Sequence, residues 1–284
     1  MFSLIAIPAL IIAPAAFLLY FFWIRDRWEK EPWTVLWFLF LLGCGSVIPA
    51  ALIELGFLGL EWEIETIGQA YIVAFIAVGL VEEVVKFATV YIWTFKSRHF
   101  TEEYDGIIYA VTVGLGFAFL ENILYVGMAL IEGGGGLTTA VLRAFTAVPL
   151  HALDGVIVGY FLGRSRFIAS PSSRAGLMAL GLIIAIIFHG LYDSFAFLMM
   201  VVPENLQVWC LVGLVWTLIV QWGVAHRLIR LAMEHSAKRW KASQAVPAAE
   251  ATEVPVGTRQ FCRYCGKKLA PGSNFCAACG KHLG

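Results

Sequence analysis

Residues 68–95 read GQAYIVAFIAVGLVEEVVKFATVYIWTF. The run is apolar almost throughout and long enough for the hydrocarbon core of a bilayer, which takes about 20 helical residues. Glu82, Glu83 and Lys86 nevertheless stand near its middle. A central Asp, Lys or Arg costs about 2.5–3.5 kcal/mol on insertion scales; with Glu priced like Asp, the three together cost on the order of 8 kcal/mol. Such side chains must face one another or a water-filled cavity. Glu82 and Lys86 are one helical turn apart and can pair, which lowers that cost.

The rest of the chain has the same character. Of 284 residues, 60% are hydrophobic and 14% charged, with mean hydropathy +0.79. An ordinary soluble domain runs at about 45–50% apolar and about 25% charged. These values exclude a disordered chain, a soluble enzyme and a nucleic-acid binder driven by bulk positive charge. Lys and Arg total 20, as do Asp and Glu, so the balance points to no polyanionic partner. The fold class expected is an all-α polytopic membrane protein of about seven transmembrane helices with a small C-terminal module. The spans are 2–24, 33–58, 68–95, 106–131, 138–163, 175–202 and 205–229. The first is uncharged through Ile24 and lacks a basic leader segment, so it reads as an uncleaved anchor.

Loop charge alternates. Arg25, Arg27 and Lys30 follow the first span, Lys96 and Arg98 the third, and Arg164, Arg166 and Arg174 the fifth. Arg227, Arg230, Lys238, Arg239 and Lys241 follow the seventh, whereas the even-numbered loops carry no Lys or Arg. The positive-inside rule therefore puts the N-terminus outside and the C-terminus in the cytoplasm of a multi-pass plasma-membrane protein.

Ionisable residues mark the middle spans: Glu82, Glu83 and Lys86; Glu121, followed by Asn122; Arg143, His151 and Asp154; His189 and Asp193. At about 1.5 Å per residue, Glu83, Glu121, His151 and His189 come out roughly 14–20 Å below the outer ends of their spans. They can therefore meet in one layer, at or above mid-bilayer. His189 and Asp193 are one turn apart, so the carboxylate can fix the imidazole tautomer. Pro149 frees a backbone carbonyl one turn before it. Gly155, Gly159 and Gly163 allow a close helix contact. Glu54 and Asp154 read as structural hydrogen-bond partners, Arg143 as interfacial or snorkelling, and Lys86 as the partner of Glu82.

Glutamates and histidines without a nucleophile suggest activated water. Neither a GxSxG elbow nor an HExxH motif is present. Ser194 has no evident triad, and Cys44 and Cys210 look inert. A carboxylate can accept a proton from water and return it to a leaving amine. The histidines can ligate a metal or steer the oxyanion. Peptide-bond hydrolysis fits this kit. A proton- or ion-coupled transporter would also use acids and a histidine relay, and a non-catalytic sensor signalling through the C-terminal module is a third reading.

At these residues the chain resembles the PrsW-type intramembrane proteases. Residues 82–86, EEVVK, look like their EExxK signature, residues 117–121, FAFLE, like FxxxE, and residues 189–193, HGLYD, like HxxxD; residues 149–152, PLHA, resemble the further histidine-bearing motif. The prenyl endopeptidases of the wider clan carry EExxxR and FxxxH, so Lys86 and Glu121 side with the PrsW branch. The resemblance implies cleavage of a membrane-anchored protein such as an anti-sigma factor. On this reading Glu82 or Glu83 activates water, with Lys86 beside them. Glu121 is a further acid or ligand, Asn122 an oxyanion donor and Asp193 the orienter of His189. His151, His189 and Glu121 are the candidate ligands of a divalent metal.

The protease domain is expected over 1–231, a basic juxtamembrane segment and flexible linker over 232–260, and a zinc ribbon over 261–284. Cys262 and Cys265 form one CxxC knuckle, and Cys276 and Cys279 another. Four thiolates suit a tetrahedral structural zinc, and some two dozen residues cannot build a sufficient core without one. His282 reads as a solvated terminal residue. Nothing in this module selects a protein or nucleic-acid partner.

Overall fold

The computed structural model describes residues 2–59, 63–133 and 135–245, and in the tail residues 262, 268–270, 275–277 and 282. The elements are α1 (Phe2–Trp23), α2 (Trp33–Leu58), α3 (Ile67–Ile72), a π-helical segment (Val73–Gly79), α4 (Leu80–Thr94), α5 (Glu103–Ile131), α6 (Gly136–Phe145), α7 (Ala147–Arg166), α8 (Pro171–Val201) and α9 (Glu204–Ala245). Six stretches are long and apolar enough to cross a membrane: 5–23, 33–58, 103–131, 136–166, 171–201 and 204–242. The remaining expected span, around 68–95, is helical without a gap from Ile67 to Thr94, but changes from α to π and back.

Two departures from the expected spans have local causes. The fifth span divides at Thr146, between α6 and α7. Pro149 has no N–H to give the Phe145 carbonyl, and its ring crowds that carbonyl. The seventh helix does not stop at the membrane boundary. It continues through the basic stretch to Ala245, because Ala, Lys, Arg and Glu sustain a helix in water. The first part of the expected linker is therefore helical; residues 246–261 lie outside the described residues.

The central helix is α5, packed against α7, α2, α1, α6 and α4. Its residues Tyr104, Ile107, Ile108, Val111 and Leu115 meet Leu150, Leu153 and Ile157 of α7 and Leu36 of α2 in one buried core. The α5–α7 contact is close because it is made by glycines. A Cβ on Gly155 would lie 2.8 Å from the Val111 Cα, and one on Gly159 or Gly163 would collide with the carbonyl oxygen of Gly106 or Glu103. Large apolar side chains on the periphery remain exposed, among them Phe17, Trp37, Leu52, Ile92, Trp209 and Trp216. An outer surface of this kind suits lipid.

The chain forms two compact units, Met1–Ala237 and Lys238–Gly284. In the second, Cys262, Leu269 and Cys276 are buried together. Phe275 and His282 form an antiparallel bridge and stack edge to face, so His282, although exposed, is also a packing partner. Cys265 and Cys279 lie outside the described residues.

Candidate active site

Five helices, α4 to α8, deliver the polar residues to one place. The π turn adds a residue to the helix and so alters the direction of everything after it. Immediately beyond it come Glu82, Glu83 and Lys86 of α4, all buried. A Cβ on Gly79 would lie 3.2 Å from the Gly190 nitrogen, so the π segment and α8 touch backbone to backbone beside His189.

The two adjacent glutamates have different surroundings. Glu83 Oε1 is 2.5 Å from Lys86 Nζ and 2.9 Å from His189 Nδ1. Glu82 Oε2 is 3.3 Å from Lys86 Nζ, 3.5 Å from His189 Nε2 and 4.0 Å from His151 Nδ1. Glu82 lines a cavity of about 120 Å³ with Glu121, Arg143, His151, His189 and Asp193. It also lines an adjoining apolar cavity of about 450 Å³. Glu83 lines neither and borders only a small void against Lys86, Gly114 and His151.

The imidazoles are fixed from both sides. Lys86 Nζ lies 2.9 Å from His151 Nδ1, and His151 Nε2 lies 2.9 Å from Glu121 Oε2. An ammonium has no acceptor, so Nδ1 accepts from Lys86 and Nε2–H donates to Glu121. His189 Nδ1 faces Glu83 and, at 3.2 Å, Asp154 Oδ2. This leaves His189 Nε2 toward Glu82 and, at 3.3 Å, toward Asp193 Oδ2, which has no hydrogen-bond partner. The two rings lie 5.3 Å apart, centroid to centroid.

Every ionisable residue singled out in the middle spans therefore falls in or beside this cluster, several with partners the sequence did not give. Arg143 does not snorkel: its Nη2 donates to Glu121 Oε2 at 2.7 Å and its Nε to Asn122 Oδ1 at 2.6 Å. Asn122 is thereby tied to Arg143 and lines neither cavity. Glu121 already carries Arg143 and His151; the groups whose ligand atoms lie within 4.8 Å of one another are Glu82, His151 and His189, and Glu83, Asp154 and His189. The carboxylate grouped with both imidazoles is Glu82, whereas Glu121 meets His151 alone. Asp154 is a hydrogen-bond partner as expected: its Oδ2 meets His189 while its Oδ1 accepts from Gln221 Nε2 of α9 at 2.6 Å. Glu54, read as a structural hydrogen-bond partner, has an unpartnered Oε1 and lines the apolar cavity. Ser194 gives its hydroxyl to the Gly190 carbonyl, in keeping with its exclusion as a nucleophile.

The model of the PrsW family intramembrane metalloproteases matches residues 31–224, which include all the motif-bearing helices. The chain belongs to the PrsW family. Protease PrsW of Bacillus subtilis is 38% identical over 183 residues, 64% of this chain and 78% of that protein. Its counterpart in Geobacillus kaustophilus is 37% identical, over 68% of this chain and 79% of that one. The one in Halalkalibacterium halodurans is 34% identical over 215 residues, 74% of this chain and 93% of that one. No solved structure matches. A zinc-ribbon domain matches residues 261–283. The chain is thus a multi-pass intramembrane peptidase of the PrsW family that carries a zinc ribbon.

The sequence left Gln221 and the Arg143–Glu121 pair unassigned. Gln221 had a signal, a polar amide in an otherwise apolar span, but its partner lies on a different helix. Arg143 shows only that a cation is present; what it pairs with depends on how α6 meets α5.

Proposed function

We propose that this protein hydrolyses a peptide bond of a membrane-anchored protein, with Glu82 as the base that activates water. The observation that carries the reading is the asymmetry of the two glutamates: Glu82 opens on both cavities, while Glu83 is turned into the protein.

Glu82 takes a proton as water adds to the scissile carbonyl, then returns it to the amide nitrogen as the C–N bond breaks. Lys86 holds the glutamates and His151 in register. Glu83 and Asp154 fix His189 Nδ1 and so aim its Nε2 at the cavity. Arg143 and His151 place Glu121 at the cavity wall. The donor set fits a metal: one carboxylate oxygen, two imidazoles and the orphaned Asp193 oxygen beside them. Glu82 through one oxygen, with His151 and His189, would hold a zinc ion there, His151 by releasing Lys86 or Glu121, and the other Glu82 oxygen would take the proton. Such an ion, when bound, polarises a carbonyl and acidifies water.

The apolar cavity receives the substrate. Val47, Leu55, Val78, Leu124, Met128 and Met200 line it between α2, the π segment, α5 and α8. Leu55, Leu124, Met128 and Met200 are themselves exposed, so the cavity opens where lipid would be. A transmembrane segment can enter sideways and bring its backbone to Glu82. By family resemblance the substrate is a regulator of the anti-sigma-factor kind. The N-terminus lies outside the cell and the C-terminus in the cytoplasm, and Cys262, Cys265, Cys276 and Cys279 bind one structural zinc.

The test compares cells expressing the wild type or Glu82→Gln. Membrane proteins cut only with the wild type, and co-purifying intact with Glu82→Gln, are the expected substrates. Identical sets of membrane-protein fragments in the two would reject the proposal.

A further inference from the structure

The wall of the larger cavity carries a charge that the hydrolytic cluster does not use. Val47, Ala50, Ala51, Glu54, Leu55 and Leu58 line it from α2. Their spacing by threes and fours is that of one helix face. That face is apolar except at Glu54.

Among the described residues, three acids and no Lys, Arg or His line this cavity: Glu54, Glu82 and Glu121. Two of the three are already paired. Glu121 Oε2 accepts from Arg143 Nη2 at 2.7 Å, and Glu82 Oε2 lies 3.3 Å from Lys86 Nζ. Glu54 makes no ion pair among the described residues, and its Oε1 is buried without a hydrogen-bond partner. The charges that reach it from other elements are those of Glu121, His189, Asp193 and Lys86. Lys86 is held by Glu82, Glu83 and His151, so it is not free to turn to Glu54. A carboxylate that nothing answers is costly in apolar surroundings.

We propose that Glu54 determines substrate specificity by pairing with a Lys or Arg side chain of the transmembrane segment that enters the cavity. The proposal rests on the reading that this cavity receives the substrate. Because Glu54 and Glu82 line the same cavity, the cation lies near the bond that is cut. A long basic side chain suits such a wall: its aliphatic stem lies along the apolar face of α2 and its charged head meets the carboxylate. A cation within a membrane span is itself costly in lipid, so pairing relieves two costs at once and favours segments that carry one.

The experiment uses the full chain in proteoliposomes and single-span peptides of Leu and Ala, about 20 residues long. One peptide has no polar residue in its span. The others carry one Lys, Asn or Glu, moved position by position through the middle, and mass spectrometry locates the cut. For each enzyme, kcat/KM is expressed relative to the peptide without a polar residue, so differences in folded amount cancel. The wild type should favour Lys at least tenfold at one or more positions, over both the apolar peptide and Asn. In Glu54→Gln that preference should vanish, and in Glu54→Lys it should pass to Glu at the same positions. A Lys preference equal in wild type and Glu54→Gln, Asn serving as well as Lys, or no cleavage of any Lys peptide would overturn this proposal alone. Cleavage undiminished in Glu82→Gln would instead reject the hydrolytic reading, and this proposal with it.

Discussion

Neighbouring residues with identical side chains have different surroundings. On a helix, Glu82 and Glu83 differ by about 100° in direction, and that rotation separates a group facing the cavity from one held by Lys86 and His189. Asp154 meets His189 and lines neither of the two cavities that Glu82 faces. Replacing Asp154 by Asn keeps the shape and removes the charge that holds Nδ1. Substrate turnover is expected to fall by about 10–100-fold with little change in melting temperature, the usual range for a residue that orients a ligating or catalytic histidine. Turnover assays and thermal unfolding of the same preparation check this. If Asp154 were only structural, melting would drop and turnover per folded molecule would not.

At the scale of elements, close helix contacts set where those side chains meet. The α5–α7 contact runs through Gly106, Gly159 and Gly163, with backbone facing backbone. Gly159→Leu must push the helices apart and is expected to cost about 1–3 kcal/mol, read as an earlier midpoint in denaturant titration. The π segment and α8 meet at Gly190, where a Cβ would strike the Phe75 ring. Gly190→Val should therefore cut activity at least tenfold while the protein still inserts. Phe75→Ala in the same chain should recover most of it, because the obstacle is a side chain. Activity that stays lost in the double variant would refute this geometry. The spans and the motif residues Glu82, Lys86, His151 and His189 were legible in the sequence, because apolar length and the cost of charge in lipid mark them. The π turn was not, since nothing in VAFIAVG differs in composition from an α-helical stretch. Nor was the grouping of Glu82, rather than Glu121, with both imidazoles. That follows from Arg143 arriving from α6, a contact between residues far apart in sequence.

For the whole molecule, the membrane unit holds every residue of the catalytic cluster, and the zinc ribbon belongs to the second compact unit. A chain ending at Ala245 should insert, melt like the full protein and keep cleaving. On the proposed reading, metal analysis should show the full chain losing one zinc on truncation while a second, at Glu82, His151 and His189, remains. Zinc falling to zero would remove the metal from the account and leave the glutamate mechanism alone. All of this depends on acids and imidazoles from separate helices acting as one hydrolytic centre inside the membrane. The most direct measurement is cleavage of a purified single-span substrate in proteoliposomes by wild type and Glu82→Gln at matched folded amounts. The account predicts a rate lower by about a hundredfold or more in the variant, the scale of losing a general base; equal rates would contradict it.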